Sequence, residues 1–251
     1  MELKITQESF DSSFRGEYKG YHIDTRLLRH PQDTSAIFIK LRNYISPFSK
    51  LINPITMAFD MFDTVVYLNE QIQKMYIRRQ MERDFNHIRN IRETNAEKEN
   101  IIHIMKRMTD DIITLLYVYY DSSNIAENGK IKISSIGDLY RNKGVDEKVI
   151  NSIKDELNYE KYKHIINTIN DLHNSYKHSC LIQHSQWVHA VEGEAFYAYY
   201  AKNNNLNDIK YLCHNAQHII IGYSDFLLEF FNVEKTDREH KIVYEYETAI
   251  V

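Results

Sequence analysis

The chain has 251 residues, 43% hydrophobic and 26% charged, a balance that suits a globular protein with one sizeable core. Only 7 Gly and 3 Pro argue against a turn-rich β-sandwich and for long helices. A formal charge of −4 with mean hydropathy −0.52 gives no global pull toward nucleic acid or an anionic membrane, so binding of either kind requires a local patch.

Residues 1–50 are mixed. Arg15-Gly16 and Lys19-Gly20 are turn signals, and Thr34 caps a short helix carrying Ile37, Leu41 and Tyr44. Asn53-Pro54 reads as an N-cap followed by proline at the first helical position, where the missing N–H costs nothing. From there Ile55, Phe59, Phe62, Val66, Tyr76, Phe85 and Ile88 recur at helical spacing and predict a long helix over 54–91. Thr94-Asn95-Ala96-Glu97 has the form of a capping box. It predicts a second helix over 95–120 with Ile101, Met105, Met108, Ile112, Leu115 and Tyr119 on one face, ended by Asp121-Ser122-Ser123-Asn124.

Asn128-Gly129 signals a tight turn in a small hairpin that ends at Ile133. Gly144 and Asp146 bracket the start of a shorter helix with Val149, Ile150, Ile153 and Leu157, and another helix follows over 159–181. Residues 186–200 are aromatic and partly β-branched, and they read as irregular or extended. A last long helix is expected over 206–231, with Leu212, Ala216, Ile219, Tyr223, Phe226 and Phe230 on one face. The tail over 240–251 alternates apolar and polar residues and is strand-like. The expected fold class is therefore all-α: a single helical domain over 1–251, built as a bundle of four main helices with short peripheral helices and irregular or extended segments. Residues 1–50 would pack on it. The competing reading is an α+β domain built on 1–30, 185–200 and 240–251.

The helix over 159–181 carries the chemistry. Ile165, Ile169, Leu172, Tyr176 and Cys180 form one apolar stripe at about 100° per residue. Asn167, Asn170, Asn174 and His178 fall roughly opposite, with His173 and Lys177 one turn apart on the flank. Asparagine is a poor helix former because its amide competes for backbone partners. A face rich in Asn and His therefore gives up helix stability, either through drift in an Asn-rich sequence or for a hydrogen-bonding interface, a cleft or a subunit partner.

The stretch HNSYKH, residues 173–178, resembles the helix-borne R-x4–6-H motif of HEPN domains (higher eukaryotes and prokaryotes nucleotide-binding domains). Asn174 matches the polar residue that follows the Arg, and His178 matches the closing His. His173 stands where the family has Arg. The resemblance implies a helical bundle that forms a homodimer with the two motifs in a shared cleft. It implies metal-independent RNA cleavage, or RNA or nucleotide binding, in a toxin–antitoxin or phage-defence setting, with a cognate antitoxin or defence protein as partner. His178 would be the general acid/base, since an imidazole exchanges protons at neutral pH. Asn174 would orient it or the phosphate. Lys177, and His173 when protonated, would supply the positive charge that Arg normally offers, without its bidentate fork.

Lys74, Arg78, Arg79, Arg83, Arg89 and Arg92 stand against only Glu82 and Asp84 over 74–92. They form a candidate nucleic-acid-binding stripe with Tyr76 and Phe85 interleaved, or else a solvated face salted with ion pairs. His214 and His218 share a helix face at metal-site spacing, with Asp225, Glu192, Glu194, His184 and His189 as further candidates. No HExxH or CxxC appears, so no metal or cofactor is expected, and a metal-binding helical protein is the alternative together with a non-catalytic interaction or regulatory module. Cys180 and Cys213 make no disulfide framework and read as buried thiols. Trp187, Phe196, Tyr197, Tyr199 and Tyr200 read as core or interface anchors. No apolar leader or membrane-length apolar run is present, and the expected location is the cytoplasm.

Overall fold

The structure, a computed structural model, describes the backbone of residues 13–18, 21–26, 34–48, 50, 53–85, 88–141, 143–178, 195–201 and 209–232, with side chains at those positions except 13–26, 77–95, 178, 199–201 and 209–211. A hairpin of β1 (Ser13–Tyr18) and β2 (Tyr21–Arg26) precedes α1 (Thr34–Leu41), which runs into a 3-10 turn at Arg42–Tyr44. Ile37, Leu41 and Tyr44 are buried, as their spacing predicts. Asn53 Oδ1 accepts the Ile55 N–H at 2.8 Å, and Pro54 opens α2 (Pro54–Phe85). The local cap therefore forms where the sequence places it.

The core face of α2 is not the expected one. Ala58, Met61, Val65, Leu68, Ile72 and Met75 are buried, whereas Ile55, Phe59 and Val66 are 50%, 55% and 39% exposed. Both sets recur every three or four residues, and their centres lie about 120° apart on the helix. Periodicity cannot rank two such stripes. Packing against α1 and α3 selects the one that is buried.

The first long helix ends at Phe85 rather than at 91, and α3 (Ile88–Tyr120) begins well before 95. Thr94 to Glu97 therefore lies inside α3, and Glu97 is buried instead of capping a free helix end. α2 and α3 form an antiparallel hairpin, with Asn100 Nδ2 donating to Tyr67 Oη at 3.5 Å across it. Ile101, Met105, Met108, Ile112 and Leu115 are buried as expected, with Tyr119 38% exposed.

After Asp121, α4 (Ser122–Asn128) ends at Gly129, whose φ of 65° lets it close the helix with its N–H on Ile125 O. Asn128-Gly129 is thus a helix stop in the left-handed conformation that glycine tolerates, not a hairpin turn. α5 (Ile136–Arg141) and α6 (Glu147–Glu156) follow, with Asp146 Oδ1 capping α6 through the Lys148 N–H at 2.9 Å.

α7 (Tyr159–His178) matches its sequence prediction to within three residues. β3 (Ala195–Ala201) then pairs antiparallel with β4 (Ile209–Asn215), and α8 (Ala216–Phe230) packs back on the bundle. The predicted helix over 206–231 is therefore corrected: Asn215 Oδ1 accepts the Gln217 N–H at 2.9 Å and starts the helix there, while 209–215 is strand. The aromatic run over 195–201 supplies its partner, with Phe196 and Ala198 buried on alternate positions. The tail over 240–251 lies outside the described residues.

The described residues form an all-α fold in which two two-stranded hairpins flank a helical bundle. One hydrophobic cluster joins Ile37 of α1 to Phe231 after α8. No described helix is long and apolar enough to cross a membrane. Leu68→Ala, at a fully buried position, should lower the unfolding free energy by about 2–5 kcal/mol. Ile45→Ala, at a 61% exposed position, should stay within about 0.5 kcal/mol. Denaturant midpoints of the two variants check the difference.

Candidate functional site

α7 meets neighbours on most of its circumference, packing against α3, β3, α8, α5 and α6. Ile165, Ile166, Ile169 and Leu172 are buried, and so are Thr168, Asn170 and Ser175. The burial of Asn170 corrects the helical-wheel reading, which set it opposite the core. A wheel assumes one packing partner, and α7 has five.

Asn167 also has a structural occupation. Its Oδ1 accepts from Tyr140 Oη, which in turn accepts from Tyr159 Oη at 2.7 Å, with Tyr159 Oη itself 3.2 Å from the same Oδ1. Much of the Asn-rich face is therefore spent on holding α5 to α7.

His173 is different. Its half-buried ring stacks on His103 of α3, with centroids 5.2 Å apart and planes 24° from parallel. His103 Nδ1 lies 3.1 Å from His173 Nε2. A hydrogen bond at this distance requires one nitrogen to carry the proton and the other to offer its lone pair. The pair therefore couples the tautomers of the two rings: whichever nitrogen carries the proton, the other must offer its lone pair.

The sequence analysis missed His103. It sits in the apolar run IIHIM, and nothing local connects it with a histidine seventy positions on. The available signal was the polar series Asn100, His103 and Arg107 on one face of α3.

α7 runs antiparallel to α3. Glu156, just before α7, accepts from Tyr120 Oη at the end of α3 at 3.2 Å, and His173 meets His103 nearer its start. The C-terminal turn of α7, with half-buried Asn174 and exposed Lys177, thus points toward the end of the bundle where the α2–α3 hairpin turns. His178 is the last residue of α7, and its side chain lies outside those described.

Arg78, Arg79 and Arg83 belong to the end of α2 and Arg89 and Arg92 to the start of α3, so the basic residues expected on one helix are divided between two arms that meet at that turn. Their side chains too are outside the described set. Eleven residues of α3 separate Arg92 from His103, a rise of about 16 Å.

A groove of about 1010 Å³ runs between α2 and α3 beside the histidine pair. Tyr67, Asn100, His103 and Arg107 line it together with Asp60, Asp63 and Asp111. Burial holds the Asp111 carboxyl above its ordinary range, against the opposing Arg107 charge 3.9 Å away. The groove is amphipathic and mixed in charge.

The metal alternative loses its geometry. His214 lies on β4 opposite Phe196, and His218 lies in the first turn of α8, so Asn215 turns the chain between them and they share no helix face. Burial lowers both the His214 and the His164 imidazole to about 4, the charge of His214 adding to the effect at His164. It lowers His218 as well. Among the described residues no group of three or more His, Cys, Asp or Glu is placed to hold a metal ion.

Asp225 is tied through its backbone carbonyl to Tyr162 Oη at 3.2 Å. Cys213 lies half-buried on β4 rather than on a helix core face. Phe196 is fully buried, and Lys98 Nζ sits 5.3 Å over the Tyr197 ring. Cys180, His184, Trp187, His189, Glu192 and Glu194 lie outside the described residues. No protein-family profile, curated protein or solved structure matches the chain.

The buried imidazoles make stability depend on pH. His164 and His214 fall from an ordinary 6.5 to about 4 on folding, so between those values the unfolded chain binds more protons than the folded one. Their contribution is complete above pH 6.5 and is lost as the pH falls toward 4. The thermal midpoint should drop across that window, and the double substitution His164→Gln/His214→Gln should flatten the drop in a calorimetric series.

Proposed function

We propose that the chain is a HEPN-like protein that binds RNA at the end of the bundle formed by α3, α7 and the α2–α3 turn, and cleaves it without a metal. The 3.1 Å contact between His103 Nδ1 and His173 Nε2 carries this reading. His103 is the exposed partner and lines the groove. In the tautomer in which His103 donates its Nδ1–H to His173, its Nε2 keeps a lone pair. That arrangement suits a general base oriented by a second residue.

In this scheme His103 Nε2 takes the proton of a ribose 2′-OH, and the 2′-oxygen attacks the adjacent phosphorus. The P–O5′ bond breaks, and the 5′-oxygen leaves with a proton from His178, the closing residue of the motif. The products are a 2′,3′-cyclic phosphate and a 5′-OH. Lys177, one turn beyond His173, and Arg107, one turn beyond His103, supply positive charge for the phosphorane. Neither reproduces the Arg that the family carries at position 173, so charge stabilisation falls to separated cations.

The net charge of −4 and the carboxylates of the groove leave attraction of the polyanion to the basic residues at the hairpin turn. Such a site favours unpaired RNA, whose 2′-OH can rotate into line with the scissile bond.

Single-stranded RNA incubated with the protein in excess EDTA should be cut. His103→Ala and His173→Ala should each slow cleavage by about 10² to 10⁴, the usual worth of a positioned acid or base. The reading fails when the wild type neither binds nor cuts RNA, or when both variants cut at the wild-type rate. RNA that is bound but never cut would leave a binding module at the same place. Arg79→Ala, Arg83→Ala, Arg89→Ala and Arg92→Ala should weaken binding to all sequences alike. Each lost phosphate contact should reduce the slope of log K against log salt by about 0.7, read by fluorescence anisotropy.

A further inference from the structure

We infer that the groove between α2 and α3 takes the base on the 5′ side of the scissile phosphate, and that the Asp63 carboxylate selects guanine there. The inference rests on the cleavage reading above and adds to it the choice of base. α2 lines the groove with Asp60, Asp63, Thr64 and Tyr67, at the three- and four-residue spacing that gathers side chains on one helix face. Asn100, His103 and Arg107 of α3 line it from the other side.

One contact sets the register. The Asn100 amide reaches Tyr67 Oη at 3.5 Å, and the two helices run antiparallel. His103, one turn along α3, therefore falls beside the turn of α2 that carries Asp63 and Thr64. A ribose whose 2′-OH meets His103 Nε2 carries its base on the neighbouring carbon, so the base enters the groove. With Arg107 given to the scissile phosphate, the wall ahead is the carboxylates of Asp60, Asp63 and Asp111, which repel further phosphates. A neutral base brings N–H groups that carboxylates accept.

Tyr67 is 46% exposed, which leaves room for a base to stack on its ring, a contact that every base can make. The choice among bases falls to a carboxylate within reach of that stack. Asp111 answers Arg107 at 3.9 Å, and Asp60 lies two turns from Tyr67, a rise of about 10 Å. Asp63 is one turn from Tyr67, about 5–6 Å away, and among the described residues it has no hydrogen bond or ion pair.

An ionised carboxylate offers two oxygens that only accept. Guanine alone of the four bases has two adjacent donors on its pairing edge, N1–H and the 2-amino group, and the two oxygens accept them side by side. Adenine and cytosine set one amino group beside an acceptor nitrogen, and uracil sets one N–H between two carbonyls. Each of those edges turns a lone pair toward the carboxylate.

An unstructured RNA containing every dinucleotide step, incubated with the protein in excess EDTA, should be cut on the 3′ side of G. The preference in kcat/KM should be about five- to a hundredfold, the worth of a good bidentate base contact. Inosine, which lacks the 2-amino group, should fall back toward the other bases, and 7-deazaguanine should be cut as guanine is. Asp63→Asn, at an exposed position, should remove the preference for G with the helical circular dichroism unchanged. Tyr67→Ala should raise KM for every base alike by about tenfold, and Tyr67→Phe should restore it. Equal cutting after all four bases, or a preference for another base, overturns the inference, as does an Asp63→Asn variant that still prefers G. Those results leave cleavage at His103 standing, whereas RNA left uncut by the wild type brings down the cleavage reading and this inference together.

Discussion

Burial of α3 on several sides at once is the constraint from which the rest of the molecule follows. A helix of 33 residues that packs against α2, α5, α6 and α7 must satisfy every polar group on its inner turns without water. Lys106 is 5% exposed, and an ammonium there is tolerated only when paired. Asp110, one turn on, takes that charge and also accepts the Ile136 N–H at 3.0 Å, which fixes the start of α5. Burial raises the Asp110 carboxyl, while Lys106 and the Ile136 N–H act to lower it. On the next face Tyr223 Oη donates to Met105 O at 2.9 Å, tying α8 to the same turn from a fully buried position. Asp110 and the Met105 carbonyl of α3 thus anchor α5 and α8.

That constraint explains what the sequence could and could not reveal. Features whose physics is local were legible: the Asn53-Pro54 start of α2, the Asp146 cap of α6, the extent of α7 and the all-helical class. Features decided by neighbours were not. α2 carries two apolar stripes of similar strength, and the elements packed on it, α3 and α1 foremost, determine that Val65 is buried while Val66 is not. Thr94 to Glu97 has the form of a cap, yet a helix already running from Ile88 absorbs it. The strand over 209–215 could pass for a helix turn because Leu212 and Ala216 sit four apart, and its pairing with 195–201 is a tertiary fact.

The candidate site divides along the same line. The α7 motif was visible because its unusual residues are contiguous in sequence. His103 was invisible because its significance arises only when α3 and α7 are laid antiparallel. The Asn-rich face proved to be partly ordinary scaffolding, with Asn167 bridging Tyr140 and Tyr159 and Asn170 buried. A polar face on a helix with several packing partners is therefore weak evidence for a cleft until its hydrogen bonds are counted. What remained after that count was the side of α7 bearing His173 and Lys177.

The geometry of the histidine pair is set some distance from it. Glu156 accepts from Tyr44 at 2.6 Å, Lys40 at 3.0 Å and Tyr120 at 3.2 Å, so one carboxylate holds the end of α6 to α1 and to the C-terminal turn of α3. Desolvation acts to raise the pKa of this carboxyl, but those donors outweigh it and hold it below the ordinary glutamate value, so it stays ionised and clamped. Because α7 begins three residues later, the angle at which it crosses α3 is fixed at that clamp and at the Tyr162–Glu229 contact with α8. A stacked pair with its nitrogens 3.1 Å apart tolerates little sliding, since hydrogen bonds weaken steeply away from good alignment. The pair of half-buried His173 and exposed His103 is held in register by ion pairs and hydroxyls at the opposite end of α7, which leaves the His103 end open to solvent without leaving it loose.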